Sequence, residues 1–180
     1  MAWFDWLVSG ADQAPAGEAT EVVQRIAALL DGEAPERARY LGAFAYLLGR
    51  VAHIDNELTD TEVGAMRALL AREGGVDAHD AQLVVDLAQA LNRAERGTED
   101  FRVAREFSQV ATRDQQRGLV RCLFAVAAAD TTVSLAEDNE IRRVTQELGL
   151  EHDDFIRARL DVREHLSVTR PPARARSDSQ

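Results

Sequence analysis

The chain has 180 residues and a formal net charge of −10 at pH 7. Its length suits one domain that buries an apolar core, with some residues left for tails. An acidic body repels phosphate backbones, which argues against general nucleic-acid binding and favours cations or basic protein surfaces as partners.

Cysteine content and hydropathy narrow the class further. Cys122 is the only cysteine and lies in an apolar segment, so the chain has neither a disulfide framework nor a cysteine-rich metal site. The start of the chain carries no positive charge typical of a signal peptide, and no apolar run approaches the roughly 18 residues needed to cross a bilayer. We therefore expect a cytoplasmic protein without a transmembrane segment.

Residues 1–17 are predicted to form an aromatic lead followed by a linker. Trp3, Phe4 and Trp6 lie in the lead, and Pro15 lies in a stretch of small residues. The aromatic side chains either dock on the core, contact a membrane or a protein partner, or stay disordered. These three alternatives remain open at this stage.

Residues 18–166 are predicted to form an all-α domain of seven or eight helices, because apolar residues recur at helical spacing throughout. No segment alternates apolar and polar residues between turn signals, so strands are not expected. In chain order the helices are marked by Val22, Ile26, Leu29 and Leu30; Tyr40, Leu41, Phe44, Leu47, Leu48 and Val51; Met66, Leu69 and Leu70; Leu83, Val84, Leu87 and Leu91; Phe101, Ala104, Phe107 and Ala111; Leu119, Leu123 and Val126; Ile141, Val144 and Leu148; and Phe155, Ile156 and Leu160.

Several residues mark where these helices begin and end. Pro35 suits the first turn of the second helix. The third helix is expected from about Asp60 to Glu73, because the following glycine pair ends helices. Residues 112–115 (TRDQ) match a capping box that begins the sixth helix, and Gly149 follows the seventh.

Residues 167–180 are predicted to be a disordered basic tail. The last eleven residues (RPPARARSDSQ) contain a proline pair and arginines but no apolar anchor. The three arginines could touch anionic lipid or an acidic partner, but so few charges are more typical of a solvated tail.

The chain contains an internal repeat. Residues 51–62 (VAHIDNELTDTE) return, shifted by 75 residues, as residues 126–137 (VAAADTTVSLAE). Each copy contains a helix end, an acidic turn, an apolar residue, a hydroxyl residue and a glutamate. Such a duplication predicts two related helical sets with matching carboxylates at matching turns.

The acidic residues of these turns have two interpretations. Thr59 with Glu62, and Ser134 with Glu137, fit capping boxes that satisfy free amides at a helix start. Leu58 and Val133 would then act as hydrophobic staples, and the two turn aspartates would bond their own backbone amides.

The alternative interpretation is a metal site. If the two turns lie close together, Asp55, Glu62, Asp130 and Glu137 form a patch of hard oxygen ligands that suits Ca²⁺ or Mg²⁺. Neither turn is an EF-hand, because the glycine and the bidentate glutamate of that loop are missing. Nearby carboxylates could add charge without ligating; they are Glu57, Asp138 and Glu140.

Catalytic signatures are absent from the sequence. It shows no Ser, His and Asp grouping, no phosphate-binding glycine loop and no dinucleotide fingerprint. The four histidines are scattered, and the Glu-x-x-His pairs of dimetal helical bundles are missing. We therefore expect a protein that is not an enzyme; a metal-assisted hydrolase is the least favoured alternative.

The paired motifs resemble those of TerB-like proteins, the family of the tellurite-resistance protein TerB. The residues that carry the resemblance are Val51, Ala52, Asp55 and Glu62 in one copy, and Val126, Ala127, Asp130 and Glu137 in the other. The likeness spans about residues 35–165. A related helical module precedes the J-domain of the co-chaperone DjlA.

The resemblance implies an all-helical fold, divalent cations at the acidic turns, a role in tellurite or other stress resistance, and assembly with protein partners at the inner face of the membrane. The sequence departs from the family pattern where the family usually has Asp-Gly, since Asn56 and Thr131 follow the two aspartates. A β-branched threonine adopts positive φ poorly, so metal binding is less expected at Asp130 than at Asp55.

Two functional hypotheses follow. In the first, the acidic surface of a non-enzymatic stress-response protein binds a divalent cation, a basic partner surface, or both. In the second, the protein is a co-chaperone-like interaction module in which the acidic turns are only helix caps and exposed apolar residues, including the aromatic lead, recruit a partner. The sequence has no His-Pro-Asp signature of a J-domain, so the second hypothesis concerns docking alone.

Overall fold

A computed structural model describes residues 28–51, 60–92, 100–128 and 133–169. Within these ranges the chain is helical and contains no strand, which confirms the predicted all-α class. Seven helices lie wholly within the described ranges: α1 Pro35–Val51, α2 Asp60–Glu73, α3 Ala78–Asn92, α4 Asp100–Val110, α5 Arg113–Ala127, α6 Leu135–Glu147 and α7 His152–Thr169.

The predicted helix boundaries agree with the structure where it is described. Pro35 is the first residue of α1, and α2 ends at Glu73 before the glycine pair. Gly75 has φ 66° and Gly149 has φ 69°, the left-handed conformation that follows many helices and that glycine adopts without steric cost. The aromatic lead, most of the first predicted helix and residues 170–180 of the predicted tail lie outside the described residues. Residues 167–169, which the tail was predicted to include, are instead the last residues of α7.

The helices α1 and α5 form the centre of the fold. Leu41, Phe44 and Leu47 of α1 and Leu119 and Leu123 of α5 have no exposed surface. Both helices carry buried residues on nearly every side, as expected for helices that are surrounded by others. The other helices cover these two. Among them α3 is buried on most sides, with Leu83, Val84 and Leu87 in the core.

The last helix, by contrast, is buried on one face. Phe155, Ala158 and Val162 of α7 are buried, whereas Ile156 is 37% exposed and Leu160 is 49% exposed. The apolar residues that predicted the helix therefore lie on two faces, and only the face with Phe155 packs into the core. Phe155 contacts Phe124 of α5 edge to face, with ring centroids 5.1 Å apart.

The packing of the helices follows the internal repeat. In the first half α1 packs on α3, and in the second half α5 packs on α7. The middle helix of each half packs on the central helix of the other half, so α2 lies on α5 and α6 lies on α1. The central helices also contact each other. The two halves are therefore interlocked around one core.

Two glycines allow the end of α2 to approach α5 closely. A Cβ atom added at Gly118 of α5 would lie 2.7 Å from the carbonyl oxygen of Gly74. A Cβ atom at Gly74 would lie 3.0 Å from the Sγ atom of Cys122. Neither position accepts a side chain without a shift of backbone, because such distances are shorter than van der Waals contact.

Candidate functional site

The repeated turns lie largely outside the described residues. This holds for Asp55 and Asp130, and for Glu62 the structure describes the backbone, within α2, but not the side chain. Of the four predicted metal ligands, Glu137 has a described side chain. The pairing of the four carboxylates around one cation therefore stays a prediction.

Glu137 takes part in the predicted helix cap. Its backbone N–H donates to the hydroxyl of Ser134 at 3.2 Å, and its Oε2 atom accepts from the N–H of Ser134 at 2.7 Å. Thr112 and Gln115 form an equivalent capping box at the start of α5. Val133, the predicted staple, is partly buried against the core. The capping role of Glu137 is confirmed, and the cap itself uses only one carboxylate oxygen.

Two of the neighbouring carboxylates are already compensated by arginines. Asp138 is buried, accepts a hydrogen bond from Arg142 at 3.4 Å, and lies 3.2 Å from an Nη atom of Arg159. Glu140 accepts a hydrogen bond from the Nε atom of Arg50 at 2.8 Å. These side chains add little uncompensated negative charge to the turn that precedes α6.

Arg50 joins the two halves of the molecule. Its side chain is 3% exposed and bridges Glu140 and Glu147 of α6, with a bond of 2.7 Å to Glu147. At a different position in the other half, an Nη atom of Arg121, on α5, donates to the backbone carbonyl of Glu73 at the end of α2 at 3.2 Å. Each central helix thus holds the middle helix of the other half through an arginine.

No group of three or more His, Cys, Asp or Glu side chains converges in a way that could hold a metal ion within the described parts of the chain. Cys122 is buried, and that burial raises the pKa of its thiol well above the usual range. It is therefore a core residue rather than a nucleophile or a metal ligand.

The structure instead places a buried carboxylate at the start of α3. Asp80 is paired with Arg37 of α1, and its backbone N–H donates to Asp77 at 2.8 Å. Arg37 also bonds Glu33 at 2.9 Å, so its charge is shared. Burial raises the pKa of Asp80 more than Arg37 lowers it, and the charges of Asp77 and Glu33 raise it further.

A second buried carboxylate occupies the equivalent place at the start of α7. Asp154 accepts hydrogen bonds from Arg117 at 2.9 Å and from the backbone N–H of Glu151 at 3.2 Å. An Nη atom of Arg113 lies 3.8 Å away. Burial works to raise the pKa of Asp154, but these bonds and positive charges outweigh it and lower the pKa.

This pair of aspartates was missed in the sequence, although a signal was present. Residues 75–80 (GVDAHD) correspond to residues 149–154 (GLEHDD) in almost the same register as the repeated turns. Each begins with the glycine that ends a helix and continues with a buried apolar residue and a carboxylate at the next helix start. The repeat therefore extends past the turns and into the third helix of each half.

Comparison with protein families identifies the fold. Residues 41–160 match the model of the family described as tellurite resistance protein TerB. The chain belongs to this family. The match begins inside α1 and ends inside α7, so this TerB domain includes both halves of the repeat. Neither the comparison with curated proteins nor that with solved structures found a match.

Among the described residues, none of the helices is both long enough and apolar enough to cross a bilayer.

Proposed function

We propose that the protein is a non-enzymatic TerB protein that acts by binding, in a stress response of the tellurite-resistance type. Asp55, Glu62, Asp130 and Glu137 bind a divalent cation, Ca²⁺ or Mg²⁺, and the acidic surface assembles with protein partners at the inner face of the membrane. Membership of the TerB family carries this proposal, since that family is described as tellurite resistance protein TerB.

The chemistry of the proposed ligands fits a hard divalent cation. All four are carboxylates, and carboxylate oxygens are the donors that Ca²⁺ and Mg²⁺ prefer. The capping box holds the side chain of Glu137 at the start of α6 through its Oε2 atom. This side chain therefore loses less conformational entropy when it binds a cation. Asp138 and Glu140 already have arginine partners, which leaves the turn carboxylates as the better candidates.

The packing of the helices supports two turns that act together. The first turn joins α1 to α2, and the second joins α5 to α6. Since α1 packs on α6 and α2 packs on α5, each turn joins two helices that both contact helices of the other half. This crossed arrangement favours turns on one flank of the molecule, where the like charges of four carboxylates require a cation or protons to compensate them.

The proposal is tested by thermal and chemical unfolding in the presence of divalent cations. A cation selective for the folded state at about 100 times its dissociation constant stabilises it by about 2.7 kcal/mol. We expect this stabilisation to disappear in Asp55→Ala with Asp130→Ala. The matched control removes two exposed carboxylates elsewhere, Asp31→Ala with Asp153→Ala, and keeps the stabilisation. Equal loss in both double variants would show general charge screening instead of a site at the turns.

A second candidate function is a co-chaperone-like docking module in which the turns serve only as caps. The exposure of Ile156 and Leu160 on one face of α7 favours this alternative. The two candidates differ in their dependence on cations. Partner capture that survives chelation of divalent cations but is lost after deletion of residues 1–16 supports docking, and capture that chelation abolishes supports the cation site.

A further inference from the structure

A cleft opens beside Asp80, away from the repeated turns. It has a volume of about 420 Å³ and lies between α1, the connection from α2 to α3, the end of α4 and the start of α5. This volume falls within the range of small-molecule sites, about 300–1,000 Å³. The polar side chains that line it are Glu36, Arg37, Tyr40, Asp77, Asp80 and Gln115.

Tyr40 is a buried polar side chain in the wall of this cleft without a partner of its own. The residue is 8% exposed, and its hydroxyl is buried with no hydrogen-bond partner. Its ring is held by Phe107, stacked with centroids 5.4 Å apart, and by Phe44, edge to face at 6.0 Å. Since the ring cannot turn the hydroxyl towards water without losing these contacts, the unpaired hydroxyl costs stability unless a ligand pairs with it.

The charges around the cleft determine whether a positively or a negatively charged ligand is favoured. Glu36, Asp77 and Asp80 place three carboxylates in the lining against the single guanidinium of Arg37. Arg37 is further shared with Glu33, which also lies 3.8 Å from His79. Burial is the main cause of the raised pKa of Asp80; the charges of Asp77 and Glu33 raise it further, whereas Arg37 and His79 lower it. A cation improves the balance of charge in the cleft, and an anion worsens it.

The donors in the cleft suit an ammonium group better than a metal ion. Among the described residues no three acidic, histidine or cysteine side chains converge on one point, as a metal would require. Burial and the nearby thiol and carboxyl groups raise the pKa of Tyr40 to about 12, so the hydroxyl stays protonated and is a weak metal ligand. A protonated hydroxyl and a carboxylate can both accept N–H bonds from an ammonium group.

We propose that this cleft binds a small organic cation with a primary ammonium group, which donates to the carboxylate of Asp80 and to the hydroxyl of Tyr40. The ammonium group belongs either to a free alkylamine or to a lysine side chain of a peptide. This site is separate from the cation site proposed at the repeated turns. Its ligand binds through N–H donors, which a metal ion does not have.

Calorimetric titration of the full chain with three probes tests the proposal. n-Butylammonium represents a free amine, Nα-acetyl-lysine methylamide represents a peptide lysine, and tetramethylammonium carries the same charge without N–H donors. We expect at least one of the first two to bind at least about tenfold more tightly than tetramethylammonium, as hydrogen bonds to charged groups predict. The tighter of the two identifies the source. Equal binding of all three probes or no binding of either amine would overturn the proposal. Inorganic phosphate, titrated in the same way as an anionic comparison, would also overturn it by binding more tightly than the amines.

Two variants locate the site, and a third serves as the matched control. Tyr40→Phe removes the hydroxyl but keeps the ring against Phe107, so the variant should fold and bind the amine about tenfold more weakly. Asp80→Asn should weaken binding at least as much. Asp154→Asn changes the equivalent aspartate outside the cleft and should leave the affinity unchanged. If Asp154→Asn weakens binding as much as the other two, or if Tyr40→Phe binds normally, the assignment is wrong.

Discussion

The two halves of this TerB domain share a backbone plan but differ in how they treat the same buried carboxylate. Asp80 and Asp154 follow matching glycines, are the third residues of matching helices, and have side chains that are 9% and 8% exposed. Asp154 receives hydrogen bonds from an arginine and a backbone amide, with a second arginine nearby. Asp80 has one shared arginine and two acidic neighbours. The position was retained in both halves, whereas compensation of its charge is more complete in the second.

This difference indicates that the two halves have different roles. A well-compensated buried carboxylate stabilises a fold, because its hydrogen bonds offset the cost of burial. An incompletely compensated one costs stability and is a common mark of a binding site. We therefore expect the α5–α7 half to supply stability and the cleft beside α1 and α3 to supply recognition.

The largest expected effect concerns the arginines that lock the halves together. Arg50→Ala leaves Glu140 and Glu147 without their shared cation and should lower the free energy of unfolding by about 3 kcal/mol. Arg121→Ala removes one hydrogen bond to a backbone carbonyl and should cost about 1 kcal/mol. Urea unfolding at pH 7 measures both. Equal losses of unfolding free energy in the two variants would mean that the ion pairs of Arg50 stabilise the fold no more than the single hydrogen bond of Arg121 does.

The next effect compares the two aspartates directly. Asp154→Asn weakens two charge-assisted hydrogen bonds and should lower the free energy of unfolding by about 2 kcal/mol. Asp80→Asn removes a charge that burial disfavours, so stability should stay the same or rise. Unfolding curves of the two variants at pH 7 test this contrast, and a larger loss for Asp80→Asn would reverse the proposed division between the halves.

The smallest expected effect is the pH dependence of the difference in stability between the two aspartate variants. The lowered pKa of Asp154 means that its stabilisation is present above the unfolded pKa of about 3.9 and is lost as the pH falls through the folded value. The raised pKa of Asp80 has the opposite sign, because protonation as the pH falls through its folded value removes a penalty of the native state.

We therefore expect the stability gap between wild type and Asp154→Asn to close only as the pH falls below about 4. As the pH falls from 7, any difference in stability between wild type and Asp80→Asn should disappear at a higher pH than the difference for Asp154→Asn. Unfolding midpoints measured from pH 7 to pH 3 follow both gaps. A gap for Asp80→Asn that persists down to pH 3 would contradict the raised pKa.

Much of the fold was determined by local features of the sequence. Helical spacing of apolar residues predicted α1 to α7, and the capping boxes at Thr112 and Ser134 marked where α5 and α6 begin. The internal repeat also predicted two related helical sets, because duplicated segments fold alike. These features act over a few residues, so they can be read without knowing which helices touch.

The tertiary structure decided which charges are compensated and where a cleft forms. Nothing near Asp80 or Asp154 in the chain reveals that Arg37 serves one and Arg117 the other, because these partners are more than thirty residues away in sequence. Likewise, the sequence does not reveal that Phe44 and Phe107 hold the ring of Tyr40 or that its buried hydroxyl has no hydrogen-bond partner. Periodicity determined the helices, whereas the packing of helices that are distant in sequence determined the partners of each buried polar group.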